Sequence, residues 1–211
     1  MRSVLHAHTT ARRQRTRTAA RVALAAQILF LVFAYGHAYA TEDLCSTRLH
    51  ISGVLDNTQR GAVCASIAVV GCVALARAQY EYRRDGHHAN VCLCFLMAIG
   101  LCGTCAVRES IDQHVHAAYA SLAVGTAVLL AIRVARTRRA AYRLLLVTLC
   151  TGTAQALSMQ KVMHLPSPVL GLAEIGLCVL FNGTVFQTRA VRKRVQFQWQ
   201  TRLPLLKHKQ L

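Results

Sequence analysis

The sequence predicts an all-α fold, a polytopic transmembrane helical bundle of six spans with both termini in the cytosol. Apolar residues make up 54% of the chain and charged residues only 16%. The apolar residues are gathered into runs of roughly 20, the length at which a helix crosses a hydrocarbon core of about 30 Å. The basic residues, which give a formal net charge of +17, lie in blocks between these runs.

The chain begins and ends in basic segments. Residues 1–21 contain no acid and no hydrophobic period, which predicts a disordered cytosolic tail. Residues 189–211 predict a second basic cytosolic tail. Between the tails, residues 22–188 form the predicted transmembrane domain. Its spans are predicted at residues 22–40, 62–79, 89–107, 116–132, 144–159 and 168–188.

The first apolar run has two interpretations. It ends in Ala38-Tyr39-Ala40, a small-residue pattern like a signal-peptidase site, and it follows a basic front as signal peptides do. The front is long for a signal peptide, however, and Tyr35 and His37 are unusual near a cleavage site. We favour a retained span, and cleavage would leave five spans.

The distribution of basic residues predicts the orientation. All but four of the 25 Lys and Arg residues fall in the two tails or near the loops after spans two and four. This pattern places those segments in the cytosol. The high charge therefore requires no nucleic acid as a partner. Membrane lipids are the expected partners, with the basic tails near anionic cytoplasmic lipids.

The last span contains one carboxylate, Glu174, and no other acid lies inside a predicted span. An ionisable residue within the membrane usually faces the bundle interior and can have a functional or a structural role. Glu174 could form a proton or ligand site. It could equally fix helix packing through hydrogen bonds to hydroxyl or amide side chains of span five, such as Thr148 and Thr151.

Histidines and cysteines provide weaker signals. His50, His114, His116 and His164 lie on the outer side, where they could sense acidic pH or serve as polar anchors. No recognisable metal-ligand set accompanies them, so neither a metal nor another cofactor is predicted.

The chain has nine cysteines, most of them inside spans, where they predict small apolar packing residues. Cys45 and Cys64 could be joined by a disulfide on the outer side. No phosphate loop, nucleotide fingerprint or nucleophile motif is present, which favours a protein that is not an enzyme.

Three short motifs carry a resemblance to a known family over about residues 22–194. They are His50-Ile51-Ser52-Gly53 with a displaced Asp56 before span two, His116 followed by Ala120 and Gly125 in span four, and Ala173-Glu174 in the last span, which ends near Arg189, Arg192 and Lys193. With six spans and a long first outer loop, the chain resembles the damage-regulated autophagy modulator (DRAM) family. Ile175 stands where that family has Trp.

The resemblance implies a non-enzymatic membrane regulator of autophagy in the lysosomal or wider endomembrane system. Glu174 and His116 would then stabilise the luminal half of the bundle, and the loop around His50, Ile51, Ser52 and Asp56 would be the recognition surface. One alternative is a protein that remodels GPI-anchor or phosphoinositide lipids, or its accessory, at the Golgi or plasma membrane. A second alternative is a small transporter or channel subunit that uses Glu174 as a proton or cation site.

Overall fold

The computed structural model describes residues 2–41, 51–55, 57–82, 88–135, 137–159 and 167–186. This part of the chain is helical throughout, apart from short connections, and contains no strand. Its helices are α1 (Arg2–Thr41), α2 (Ile51–Val54), α3 (Thr58–Tyr82), α4 (His88–Ala106), α5 (Gln113–Val134), α6 (Arg138–Met159) and α7 (Ser167–Phe186). The predicted all-α fold is confirmed.

Each predicted span overlaps one of the six long helices. Among the described residues, four stretches are long and apolar enough to cross a membrane: Gln14–Ala40, Thr58–Tyr80, His88–Ala106 and Gln113–Val134. Helix α7 contains a shorter apolar stretch, Gly171–Val185. Large apolar side chains are exposed along these helices, including Leu29, Val32, Val70, Val73, Phe95, Ile99 and Leu129. An exposed apolar surface of this extent is typical of a membrane-embedded protein.

The prediction of a disordered tail over residues 1–21 is wrong, because α1 begins at Arg2 and continues to Thr41. The chain contains no Gly before Gly36 and no Pro in this helix. Ala and Arg, which are frequent in the segment, are among the best helix formers, so its high charge does not prevent a helix. The 40 residues of α1 extend over about 60 Å, roughly twice the hydrocarbon thickness of a bilayer.

The basic segment between spans four and five is also more helical than the sequence suggests. Helix α6 begins at Arg138, ahead of the predicted start of span five at residue 144. Only residues 135–137 separate α5 from α6. The Arg and Ala residues of this segment favour helix for the same reason as in α1.

Helix α1 packs on α3, α3 on α4, and α4 on α5, while α7 contacts α5 and α6. Helices α1 and α3 are antiparallel, because His37 meets Arg60 near one end and Ala26 meets Gly71 nearer the other. The end of the bundle that contains α2 and the first turn of α3 is called the α2 end below. The opposite end, where Arg133 closes α5, is called the Arg133 end.

Small residues bring the backbones of neighbouring helices close together. A Cβ atom added at Gly100 on α4 would lie 2.5 Å from the backbone nitrogen of Ala123 on α5. A Cβ atom at Gly61 on α3 would collide with the carbonyl oxygen of Cys105 on α4. These contacts leave no room for a side chain, so the two glycines set the distances from α4 to its neighbours.

The buried apolar residues form two clusters. The larger joins α1, through Ala23, to α3, α4, α5, α6 and α7, and it also includes Cys72, Leu75, Cys94, Met97, Leu130, Leu144 and Phe181. The smaller lies at the α2 end and consists of Ala34, Ala38, Val54, Leu55, Cys64 and Cys105. Through the smaller cluster, α2 and Leu55 pack against α1, α3 and α4.

Candidate functional site

The first residue of α2 is bound by the acid of the last helix. The backbone N–H of Ile51 donates a hydrogen bond to Oε2 of Glu174, with a distance of 2.5 Å. The first N–H groups of a helix have no acceptor within the helix. A carboxylate at this position supplies one and also favours the positive end of the helix dipole.

The other end of α2 is bound by a buried cation. Arg60 is only 1% exposed, and its Nη1 group donates a hydrogen bond to the carbonyl oxygen of Val54. Its Nε–H group donates to Nδ1 of His37 on α1, at 3.3 Å. Arg60 therefore connects α1, α2 and α3. A buried charge is costly unless it is paired and hydrogen-bonded, and these bonds meet part of that requirement.

The start of α3 positions Arg60. The side-chain oxygen of Asn57 accepts hydrogen bonds from the backbone N–H groups of Gln59 and Arg60, at 3.1 Å and 3.2 Å. Asn57 is thus the N-cap of α3, a role for which Asn is strongly preferred. The cap places Arg60 in the first turn of the helix, directly beneath α2.

Aromatic and polar side chains of α1 and α7 complete the site. The rings of Phe33 and His37 have centroids 5.6 Å apart in a tilted arrangement, which orients the imidazole toward Arg60. The Tyr35 hydroxyl and the Cys178 thiol both lie within electrostatic range of the Glu174 carboxylate. The site is therefore built from α1, α2, α3 and α7.

His116 occupies a different position, at the start of α5. It is 1% exposed, and its Nδ1 atom forms a hydrogen bond of 2.6 Å with the carbonyl oxygen of Val107. The buried Nε2 atom has no hydrogen-bond partner in the described part of the chain. The ring closes the turn between α4 and α5, and Asp112 caps α5 through the N–H of Val115. This arrangement favours the structural interpretation of His116.

The structure joins two predicted features that the sequence left separate. Ile51 belongs to the predicted recognition motif and Glu174 to the predicted intramembrane site, and the two are hydrogen-bonded to each other. Ser52 lies within α2, but its side chain is not among those described. His50 and Asp56 lie outside the described residues, so their proposed part in recognition stays a prediction.

The proposed disulfide also stays a prediction. Cys45 lies outside the described residues, and Cys64 is completely buried in the smaller apolar cluster with Cys105. Within the described ranges, no group of three or more His, Cys, Asp or Glu side chains is placed to hold a metal ion.

These contacts assign the α2 end as the candidate site. The chain matches no family model, no curated protein and no solved structure.

Arg60 is the site residue that sequence reasoning missed. In the sequence it is one of the few basic residues of an outer loop. The one pattern that could have indicated its role is its spacing of three residues from Asn57. An Asn three residues before an Arg, ahead of an apolar run, predicts a capped helix with the Arg in its first turn. Such an Arg lies at the membrane boundary, where a neighbouring helix can bury it.

Proposed function

We propose that this chain is a non-catalytic multi-pass membrane protein that acts through lipid and protein contacts in the lysosomal or wider endomembrane system, as a DRAM-like protein would. The hydrogen bond from Ile51 to Glu174 carries this proposal. Through this bond, the one acid of the predicted spans holds the first residue of α2. A carboxylate that caps a helix favours a structural role over that of a proton carrier or catalytic base.

In this proposal, α2 and the loop before it form the recognition surface. Val54 and Leu55 are almost completely buried, with exposures of 0% and 3%, so the carboxyl end of α2 is anchored in the bundle. Glu174 and Arg60 hold its two ends from opposite sides. A short segment that is already fixed in this way loses less conformational entropy when a partner binds to it.

The proposed topology has six spans, with the Arg133 end in the cytosol and the α2 end in the lumen. Antiparallel packing places the amino-terminal part of α1 and the carboxyl end of α3 at the Arg133 end. Exposed arginines in these regions, at the carboxyl end of α5 and in the adjoining part of α6 are Arg15, Arg17, Arg21, Arg77, Arg133, Arg138, Arg139 and Arg143. Their gathering at one end supports a cytosolic location.

Glu174→Gln should leave stability within about 0.5 kcal/mol of the wild type, because an amide oxygen can still accept the Ile51 N–H. Glu174→Leu should lower the free energy of unfolding by about 1–2 kcal/mol, because that N–H loses its acceptor. Thermal unfolding in detergent would measure both effects. Val179→Leu, at an exposed position of the same helix, is the matched control and should have little effect.

The same variants distinguish the rival functions in cells from which the gene has been deleted. If the chain is a regulator, Glu174→Gln should restore autophagic flux as well as the wild type does. A Glu174→Gln protein that is stable and correctly located but inactive would instead favour a proton- or cation-coupled carrier. Altered GPI-anchor or phosphoinositide lipids on deletion, with unchanged autophagic flux, would favour lipid remodelling.

Topology can be tested with tags at both ends and selective permeabilisation of the plasma membrane. We expect both tags on one full-length endomembrane protein, each accessible from the cytosol. Because α1 packs along α3 and supplies His37 to Arg60, we expect α1 to be retained. A shortened chain without its amino-terminal tag would contradict this expectation and would identify α1 as a cleaved signal.

A further inference from the structure

A second polar network lies at the Arg133 end, where it connects three helices. Gln79 on α3 and Asn90 on α4 are buried, with exposures of 8% and 6%. The side-chain NH₂ of Asn90 donates to Oε1 of Gln79 at 3.5 Å. The Nε–H of Arg133, in the last turn of α5, donates to Oδ1 of Asn90 at 2.9 Å.

The network orients the Arg133 side chain and uses only one of its N–H donors. Asn90 uses its donor toward Gln79 and its acceptor toward Arg133, so its amide orientation is determined by both neighbours. The Asn90 bond occupies only the Nε–H of the five guanidinium N–H donors. The Arg133 side chain is exposed, so the network holds its guanidinium group at the surface of the bundle.

An oriented, accessible guanidinium suits one kind of ligand. Its planar fork matches the oxygen atoms of a phosphate and can bind two of them at once. Holding Nε in place reduces the side-chain entropy that is lost when such a ligand binds. A free surface arginine would offer the same charge without this preorganisation.

The location determines where the phosphate would come from. Arg133 ends an apolar helix long enough to cross a membrane, which places its guanidinium near the depth of lipid headgroups. Exposed Arg77 on α3 and Arg138 and Arg139 on α6 belong to the same end of the bundle. Basic residues of this kind attract anionic lipids to the surface in general. Among the contacts of the described residues, Arg133 is the one of these four whose guanidinium is held by a buried amide.

We propose that Arg133, positioned by Asn90 and Gln79, is a binding site for the phosphate group of an anionic membrane lipid. The site lies at the opposite end from α2 and does not depend on the function proposed for that end. Lipid binding there would also join α3, α4 and α5, because the network already connects these helices.

The test is binding of short-chain phosphatidic acid to the purified full-length protein in neutral detergent micelles, where no charged bilayer surface contributes. Arg133→Gln should weaken binding about tenfold, the equivalent of about 1.4 kcal/mol. Arg133→Lys should weaken it severalfold, because Lys keeps the charge but lacks the fork. Arg139→Gln removes another exposed arginine from the same end and should change affinity less than twofold.

Phosphatidylcholine with the same acyl chains serves as the comparison lipid, and inorganic phosphate serves as the soluble competitor. We expect weak binding of the first and little competition by the second. Equal losses in Arg133→Gln and Arg139→Gln would overturn the proposal in favour of general surface charge. Efficient competition by inorganic phosphate would overturn the lipid assignment. If Arg133→Gln unfolds, Arg133→Lys provides the comparison, and wild-type affinity in that variant would also overturn the proposal.

Discussion

Gly100→Ala should separate α4 from α5 and lower the free energy of unfolding by about 1–3 kcal/mol, the usual cost of overpacking a buried contact. The added methyl group would lie 2.5 Å from the backbone nitrogen of Ala123 and 2.8 Å from its Cα atom. Backbone atoms in the middle of a helix cannot move aside as the end of a flexible side chain can. The whole α4–α5 contact must therefore open.

Gly125→Ala on α5 is the matched control, because within the described part of the chain no atom beyond the adjacent backbone of α5 itself lies within 4 Å of the added methyl group. Ala is a better helix former than Gly by about 1 kcal/mol, so this variant should be as stable as the wild type or slightly more so. The stability of both variants would be measured by thermal unfolding in detergent, with the loss of monodisperse protein as the readout. Equal stability of the two would contradict the close packing of α4 and α5.

Arg60→Met should lower the free energy of unfolding by about 1–3 kcal/mol, the cost of leaving a buried polar group without its partner. Met keeps much of the side-chain volume but removes the donors to Val54 and His37. Arg60→Lys should have an intermediate effect, because one ammonium group cannot reproduce both bonds of the guanidinium fork. The carboxyl end of α2 should loosen in both variants.

Arg108→Met is the control for Arg60→Met. Arg108 also lies at the α2 end, but its side chain is exposed, so its replacement should change stability by less than about 0.5 kcal/mol. Limited proteolysis near α2 and thermal unfolding would be measured together. If Arg60→Met proved as stable and as protease-resistant as Arg108→Met, the α2 segment would not depend on the buried cation.

The sequence predicted the helices better than the site. Runs of about 20 apolar residues are a strong signal for membrane helices, and the long helices overlap the predicted spans. No sequence pattern of this kind indicates which group forms a hydrogen bond with Glu174. The sequence favours the hydroxyl groups of span five as partners, yet the observed donor is a backbone N–H, which every residue but Pro possesses. Thr148, one of those hydroxyls, bonds instead to Leu144 of its own helix.

The network at the Arg133 end could not be predicted from the sequence, for a different reason. Its members are separated by 11 residues between Gln79 and Asn90 and by 43 between Asn90 and Arg133. The three residues lie on three different helices, so the period of any one helix cannot relate them. Only the antiparallel arrangement of α3, α4 and α5 brings them together, and a single sequence does not reveal which residues meet across such contacts.

The two bonds that hold α2 become available at different times during synthesis. His37 precedes Arg60 in the chain, so the buried cation can meet its imidazole partner as soon as α3 follows α1 into the membrane. Glu174 belongs to α7, so the first residue of α2 lacks this acceptor until α7 has been synthesised. A chain that stops before α7 would therefore hold α2 through Arg60 alone of these two bonds, with the N–H of Ile51 not yet bound to Glu174.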